Sequence, residues 1–274
     1  MALEAKDLEH LKPDSLSGKS LESKAERVAS NKVALKPSHC FLLACMAGLY
    51  IGFGAIFFLT FTADPTLSFG VKKLVGGICF CLGLSLVILC GGELFTGNAL
   101  MVFALLSKKI KLKSIIKNWV IVLIGNAVGS LVLVALVAGA AVASIKAGDS
   151  TIGANMASVA AGKINLDWLS IFCRGILCNI LVCLAVYVGF AGKTVVDKVA
   201  GIILPIAGFV ACGFEHCIAN MFFLPMGMVA DPSMVHVEGI LWNLSASIPG
   251  NIVGGAVFVA LVYWIVYHSE DHKK

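Results

Sequence analysis

The sequence predicts an all-α membrane protein with six transmembrane helices, arranged as an inverted repeat of three plus three. Three observations support this fold class. Of the 274 residues, 59% are hydrophobic and 14% are charged, whereas soluble domains are roughly 45–50% apolar and about 25% charged. The charges are segregated, since residues 1–36 carry thirteen of them and the stretches 39–63 and 120–145 carry none. The third observation is a polar motif that occurs once in each half of the chain.

The two ends of the chain are polar. Residues 1–36 mix lysines with acidic residues and lack the apolar segment of a secretory signal, so we expect a cytoplasmic N-terminal tail that is partly helical. We expect residues 37–268 to form the transmembrane domain, with repeat halves at about 37–146 and 165–268, and residues 269–274 to form a cytoplasmic C-terminal tail. The ten cysteines all fall inside apolar runs, which favours packing roles over a disulfide framework.

Six apolar stretches are long enough to cross a hydrocarbon core of about 30 Å. The second and fifth stretches are longer than one plain helix requires, and each contains glycine and polar residues near its middle. These two spans are therefore predicted to be broken helices. The six stretches lie near 39–63, 70–106, 115–145, 165–191, 195–230 and 239–268.

Lysines are concentrated in two of the loops between the spans. The loop after the second span carries five of them, and the loop after the fourth carries Lys193 and Lys198. By the positive-inside rule these loops are cytoplasmic. An even number of spans then places both termini in the cytoplasm, as expected for a multi-pass protein of the plasma (inner) membrane. Lys72 and Lys73 oppose this orientation, because it puts them on the outer side. The loops explain the net charge of +5, and nothing indicates a nucleic-acid partner.

A repeated polar motif marks the breaks in the second and fifth spans. Residues 91–98 and 213–220 both read G-x-E-x-x-x-x-N, and the dipeptides Gly125-Asn126 and Gly250-Asn251 follow at similar distances. Each half therefore holds three spans, and an odd number of spans inverts the second half relative to the first. Inverted repeats of this kind place the functional site near the bilayer midplane, where the broken helices meet.

His216 and Thr96 are the candidate pore residues within these motifs. His216 is the histidine far from any span end, and an ionisable residue at that depth indicates function. Thr96 can cap the half-helix after the first break, whose positive end would attract an anion. Cys212, Glu215 and His216 imitate the spacing of a helical metal site, but a glycine between them breaks the helix, so no metal or cofactor is predicted.

Two glutamates lie at equivalent positions of the repeated motif. Glu93 and Glu215 would each cost several kcal/mol if exposed to lipid as charges. We therefore expect both to be buried in protein as helix-break support, bracing Asn98 and Asn220 and capping the backbone N–H groups that the breaks release.

Four segments of the chain resemble the formate/nitrite transporter family. They are residues 69–80, the break at 92–96, the dipeptide Gly125-Asn126 and, above all, residues 213–221, and the resemblance covers about residues 38–268. It implies a homopentamer in the lipid bilayer, with an aquaporin-like protomer that has its own pore. It also implies a channel or transporter, not an enzyme, for small monovalent weak-acid anions. Formate is the expected substrate, and nitrite or hydrosulfide is the alternative within the family.

The same resemblance assigns roles to individual residues. It implies that His216, Thr96 and Asn179 form the polar centre of the pore and that Lys163 attracts anions at the outer vestibule. Arg174 departs from the family pattern, because formate-type members have an apolar residue there and nitrite-type members can carry a lysine. The two apolar constrictions are expected to be formed by Phe80, Leu84, Phe95, Val182 and Phe209.

Two other classes of membrane protein share parts of this pattern. A haem-binding redox subunit needs two inward histidines at matching depth, and only His216 qualifies in the sequence. A neutral-solute channel of aquaporin type has paired broken helices, but the Asn-Pro-Ala signatures are missing, since Asn98 and Asn220 are followed by other residues. The prediction is therefore an anion channel, whose substrate passes the constrictions as the protonated, neutral acid.

Overall fold

A computed structural model describes residues 16 and 18–268 of the chain. The expected C-terminal tail, and residues 1–15 and 17 of the N-terminal tail, lie outside the described residues. The structure contains eleven described α-helices, two short 3₁₀ helices and one π-helical segment. The 3₁₀ helices are Gly97–Met101 and Val142–Ser144, and the π-helical segment is Gly254–Leu261. The α-helices are α1 (Gly18–Ala34), α2 (Pro37–Thr62), α3 (Phe69–Cys90), α4 (Val102–Leu106), α5 (Leu112–Gly139), α6 (Ile152–Ile164), α7 (Trp168–Ala191), α8 (Val195–Ala211), α9 (Cys217–Ala230), α10 (Val237–Val253) and α11 (Val262–His268).

Five of the described helices are long and apolar enough to cross a membrane. They are α2, α3, α5, α7 and the continuous stretch Val237–Tyr267, which joins α10, the π-helical segment and most of α11. The fifth predicted span, 195–230, is divided into the shorter helices α8 and α9. Many exposed side chains on these helices are large and apolar, such as Ile116, Val120 and Ile124 on α5, as expected for surfaces that face lipid. The mostly helical membrane fold is confirmed.

Both predicted helix breaks are present. α3 ends at Cys90, and the chain is irregular from Gly91 to Thr96 before the 3₁₀ helix begins. α8 ends at Ala211, and α9 begins at Cys217. The first glycine of each motif adopts a left-handed backbone, with φ of +79° at Gly91 and +70° at Gly213, a conformation that costs glycine little. These glycines let the chain leave one helix and start another within a few residues.

The helix pair α2–α5 in the first half corresponds to the pair α7–α10 in the second, and both pairs pack backbone to backbone. A Cβ atom placed on Gly129 of α5 would lie 1.8 Å from the Cys45 carbonyl oxygen of α2. A Cβ atom on Gly254, just after α10, would lie 2.3 Å from the Ile176 carbonyl oxygen of α7. Small residues permit this close approach between membrane helices. The ten cysteines are all free, as the sequence indicated.

Two elements lie in the segment between the third and fourth predicted spans. A short antiparallel hairpin pairs Lys146–Ala147 with Ser150–Thr151, and α6 follows it. α6 packs closely on α9, since a Cβ on Gly227 would lie 2.2 Å from the Ala160 Cβ. α1 precedes the first half of the chain as α6 precedes the second, and its residues Leu21 and Ala25 are buried against neighbouring helices. α1 and α6 each bring a lysine to one of the breaks.

Candidate functional site

One asparagine side chain satisfies the exposed backbone at each break. Asn126 Nδ2 donates to the carbonyl oxygens of Ala44 (2.7 Å) and Glu93 (2.8 Å), and its Oδ1 accepts from the Phe95 N–H at 3.0 Å. A helix break in a membrane releases backbone groups that lipid cannot satisfy. The amide of Asn126 therefore takes the place of the missing helical partners at the first break.

The second break has an equivalent arrangement. Asn251 Nδ2 donates to the carbonyl oxygens of Gly175 (2.8 Å) and Glu215 (2.9 Å), and its Oδ1 accepts from the Cys217 N–H at 2.9 Å. The backbone capping expected of the two glutamates is thus done by asparagine side chains. Sequence analysis identified Asn126 and Asn251 as markers of the repeat and missed their part in the breaks.

The glutamates instead form buried polar chains within each half. Glu93, which is 5% exposed, accepts from Asn98 Nδ2 at 2.8 Å and from Lys32 Nζ at 2.7 Å. Asn98 Nδ2 also donates to Asn118 Oδ1 at 2.8 Å. The expected bond between Glu93 and Asn98 is present, whereas Lys32, which arrives from α1, was not among the predicted site residues.

In the second half, Glu215 is 1% exposed and accepts from Asn220 Nδ2 at 2.7 Å and from Lys163 Nζ at 2.9 Å. Asn220 Nδ2 also donates to Asn243 Oδ1 at 2.7 Å. A carboxylate this deeply buried needs a charged or hydrogen-bonding partner. Lys163, predicted to attract anions, is therefore also the counter-ion of a buried glutamate.

Thr96 and His216 meet where the two breaks come together. The Thr96 Oγ1 lies 3.1 Å from His216 Nε2, and both side chains are buried. His216 Nδ1 accepts from the Ala219 N–H at 3.1 Å, so the imidazole caps α9. A neutral imidazole whose Nδ1 accepts carries its proton on Nε2, and this proton points to the Thr96 hydroxyl. The expected capping of the first half-helix by Thr96 is wrong, because its hydroxyl is directed to His216 and makes no cap hydrogen bond.

Asn179 of α7 lies beside this pair. Its Nδ2 donates to the carbonyl oxygens of Thr96 at 3.1 Å and of Asn251, so it fixes the backbone of Thr96 and does not bond the imidazole itself. Its Oδ1 has no hydrogen-bond partner among residues 16 and 18–268. Thr96, His216 and Asn179, predicted from distant parts of the sequence, are thus brought to one place.

Aromatic and aliphatic side chains surround the polar centre. The Phe209 ring stacks on the His216 imidazole with centroids 5.8 Å apart, and it meets the Phe80 ring edge-on at 5.7 Å. All five side chains predicted to form constrictions are at most 4% exposed and belong to one apolar cluster. Leu84, Phe95 and Val182 are the other three members.

Two cavities approach this cluster from opposite ends of α3. The Lys163 cavity has a volume of about 330 Å³ and is lined by Phe80, His216 and Lys163, among others. The Lys32 cavity has a volume of about 290 Å³ and is lined by Val87, Lys32 and part of the first break. Because Phe80 and Val87 lie two turns apart on α3, the cavities are on opposite sides of the apolar cluster.

Both cavities are basic. The Lys163 cavity is lined by Lys73, Lys163 and Arg174 together with Glu215, and the Lys32 cavity is lined by three lysines, Lys24, Lys32 and Lys198. Burial, together with Lys198 and Arg27, lowers the pKa of Lys24 from its ordinary value. An anion would therefore find a favourable potential on either side of the apolar cluster. Within the described part of the chain, no group of three metal-binding side chains is assembled.

Residues 19–265 match the family model of the formate/nitrite transporters. The chain belongs to this family. It is 39% identical over 268 residues to the formate channel FocA of Escherichia coli K12, and the match covers 90% of this chain and 93% of the relative.

Solved structures of this family superpose on the fold described above. One, described as a pentameric formate channel with formate bound, has a TM-score of 0.76 and 36% identity, and the match covers 85% of this chain and 98% of that one. Another, described as an FNT family ion channel, has a TM-score of 0.83 and 29% identity, with 90% and 98% coverage. The resemblance identified from the sequence motifs is therefore confirmed, and the protein is a multi-pass membrane channel or transporter.

Proposed function

We propose that this formate/nitrite transporter is a homopentameric formate channel, in which each protomer passes the substrate through its own pore. The observation that carries the proposal is the buried Thr96–His216 contact, enclosed by apolar side chains and flanked by two basic cavities. The identity to a formate channel and the similarity to a pentameric channel with formate bound support the substrate and the assembly.

The energy of crossing the apolar cluster favours the neutral acid. A formate-like acid with a pKa near about 4 is charged at pH 7, and protonating it there costs roughly 4 kcal/mol. Moving the bare anion into a region of low dielectric costs up to the order of 20 kcal/mol by the Born estimate, and still several kcal/mol after relaxation. Protonation is therefore the cheaper route. The anion gathers in a basic cavity, takes up a proton that reaches it from the bulk solution through the cavity water, and crosses as the acid, which releases the proton to the solution on the other side.

Thr96 and His216 supply the hydrogen bonds for this crossing. The Nε2–H of His216 donates to the Thr96 oxygen, which leaves the Thr96 hydroxyl proton free to donate to a substrate oxygen. Asn179 holds the Thr96 carbonyl and so fixes the direction of the hydroxyl. In this proposal the pair receives the anion at the end of the Lys163 cavity and steadies it until the proton has been taken up.

The orientation follows from the lysine-rich loops. We place both termini in the cytoplasm and the protein in the plasma (inner) membrane, so that the Lys163 cavity faces outward and the Lys32 cavity inward. Lys163 then raises the local concentration of anions at the outer mouth, even though Glu215 offsets part of its charge.

Proteoliposome transport tests the function directly. Vesicles with the purified protein are given a formate gradient, and labelled formate and internal pH are followed together. We expect about one proton to move with each formate in the wild type, as the neutral-acid route requires. Replacement of His216 by leucine should abolish this coupled flux. The matched control is His236→Asn, an exposed histidine outside both cavities, which should behave as the wild type.

The possible results separate the two parts of the proposal. Absence of formate uptake by the wild type would contradict the formate channel itself. Formate current with one charge per anion and no accompanying proton would contradict the neutral-acid route and leave the channel in place.

A further inference from the structure

Arg174 is a cation of the Lys163 cavity that forms no ion pair with any described residue. It lies on α7, is half-buried, and lines this cavity together with His216. Among residues 16 and 18–268, no carboxylate oxygen lies within 4.0 Å of its guanidinium, whereas Lys163 is paired with Glu215. Of these two cations, Arg174 is therefore the one without an ion-pair partner among the described residues.

The contacts of Arg174 hold it beside the second break without using up its donors. Its Nη1 lies 3.4 Å from the Gly213 carbonyl oxygen, which is long for a hydrogen bond. Its own carbonyl oxygen accepts from the Glu215 N–H at 3.3 Å. Most of the guanidinium N–H groups have no partner among the described residues. A side chain held beside the second break, with unused donors in the cavity that His216 also lines, is suited to receive a ligand on its way to that histidine.

The third cation of the cavity is differently placed. Lys73 Nζ lies 5.6 Å over the ring of Phe69, at the exposed start of α3. Lys73 and Lys163 are ammonium groups, which act as point charges, whereas a guanidinium presents a planar fork of donors that matches two oxygen atoms of one anion. Of the three cations that line this cavity, Arg174 alone can distinguish anions by shape.

We propose that Arg174 is a specificity-determining residue, which binds planar anions with two oxygen atoms, such as formate and nitrite, in the Lys163 cavity in preference to hydrosulfide. The inference rests on the proposed function and adds a binding step before the Thr96–His216 pair. Formate and nitrite each offer two coplanar oxygens to the fork. Hydrosulfide offers one acceptor atom and gains from the positive charge only.

Substitution of Arg174 by lysine keeps the positive charge and removes the planar fork of donors, so it tests the fork alone. Uptake of labelled formate and of nitrite is measured against concentration in proteoliposomes, and hydrosulfide at fixed pH is measured as a competitor of formate uptake. For Arg174→Lys we expect the half-saturation concentrations of formate and nitrite to rise roughly three- to tenfold, with the hydrosulfide inhibition constant changed less than about twofold. Lys73→Gln, which removes a charge from the same cavity, is the control and should shift all three anions alike.

Two results for Arg174→Lys overturn the inference. One is an equal shift, or no shift, for the three anions. The other is a lower maximal rate for formate and nitrite at unchanged half-saturation, because that result indicates that Arg174 only supports the break through Gly213. If wild-type vesicles take up no formate, the proposed function fails instead. If the variant does not assemble, competition in the wild type decides, and the inference is overturned when hydrosulfide inhibits formate uptake as strongly as nitrite does.

Discussion

Replacement of Asn251 by alanine would remove the side chain that satisfies the second helix break. The change deletes two hydrogen bonds from the Asn251 amide to carbonyl oxygens and one to its Oδ1 from a backbone N–H. Of the partners, the Glu215 carbonyl and the Cys217 N–H lie at the break, while the Gly175 carbonyl is inside α7. A buried group left without a partner costs about 1–3 kcal/mol. For the two partners at the break together, we expect the free energy of unfolding to fall by roughly 2–6 kcal/mol.

Thermal unfolding measures this loss. For a chain of this size, 1 kcal/mol corresponds to about 2–4 °C, so Asn251→Ala should lower the melting temperature by about 5–20 °C, and Asn126→Ala by a similar amount. The chain supplies its own probes, because Cys178 and Cys217 are free and 0% exposed and react with a thiol-specific dye only on unfolding. All variants are heated at one scan rate in detergent.

A buried serine provides the control. Ser130 is 0% exposed, and its hydroxyl donates one long hydrogen bond of 3.3 Å to the Gly48 carbonyl inside α2. Ser130→Ala should therefore cost less than about 1 kcal/mol. If both asparagine variants unfold within about 2 °C of Ser130→Ala, the amide side chains do not stabilise the breaks.

Three further predictions concern α1, the Lys163 cavity and the topology. Burial and Glu26 raise the pKa of Glu22 on α1 to about 7, so protonation stabilises the docked helix at low pH, by at most about 3 kcal/mol, and this is lost as pH rises through about 7. Hydrogen-exchange protection of α1 should therefore fall between about pH 5 and 7 and change little above that range, and a fall that persists in Glu22→Gln would contradict this. Lys163→Ala should weaken formate uptake more at low formate concentration than at saturation, and added salt should reduce this difference between the wild type and the variant. An unchanged concentration dependence in the variant would show that Lys163 is purely structural. Single cysteines at Lys111 and Asp149, in a background without native cysteines, should label from opposite sides of the membrane, and labelling of both from the same side would contradict the six-span topology.

Much of the fold could be predicted because lipid imposes strong constraints on sequence. Apolar runs of membrane length indicated the spans, and runs too long for one helix, with glycine in the middle, indicated the breaks at 91–96 and 212–216. α6 and the hairpin before it were missed, since residues 146–164 contain no stretch of membrane length and α6 is packed against α9. Hydropathy detects contact with lipid, and it does not detect a helix that lies against other helices.

The site was predicted less completely, because its contacts join distant parts of the chain. The motifs indicated Thr96 and His216, but their 3.1 Å contact cannot be derived from spacing. Lys32 was missed because a lysine in a polar tail is typical of a solvated surface, and only the docking of α1 brings it to Glu93. The Thr96 cap was wrong because local rules consider the hydroxyl and the following N–H groups, and they omit a histidine that arrives from the other half.

The two copies of the motif separate residues that hold the fold from residues that are proposed to carry function. Glycine, glutamate and asparagine occur at equivalent positions of the motifs 91–98 and 213–220, and each set makes equivalent hydrogen bonds. His216 and Thr96 break this symmetry, since their equivalents in the other half are Leu94 and Ile218.

Two identical halves would place like groups on both sides of the centre. The departures from symmetry instead produce one histidine and one threonine, which meet each other across the two breaks. In the proposed function, this single polar pair inside an apolar cluster holds one substrate at a time between the two basic cavities. In this protein, the positions where the repeat fails are therefore where the evidence for function is concentrated.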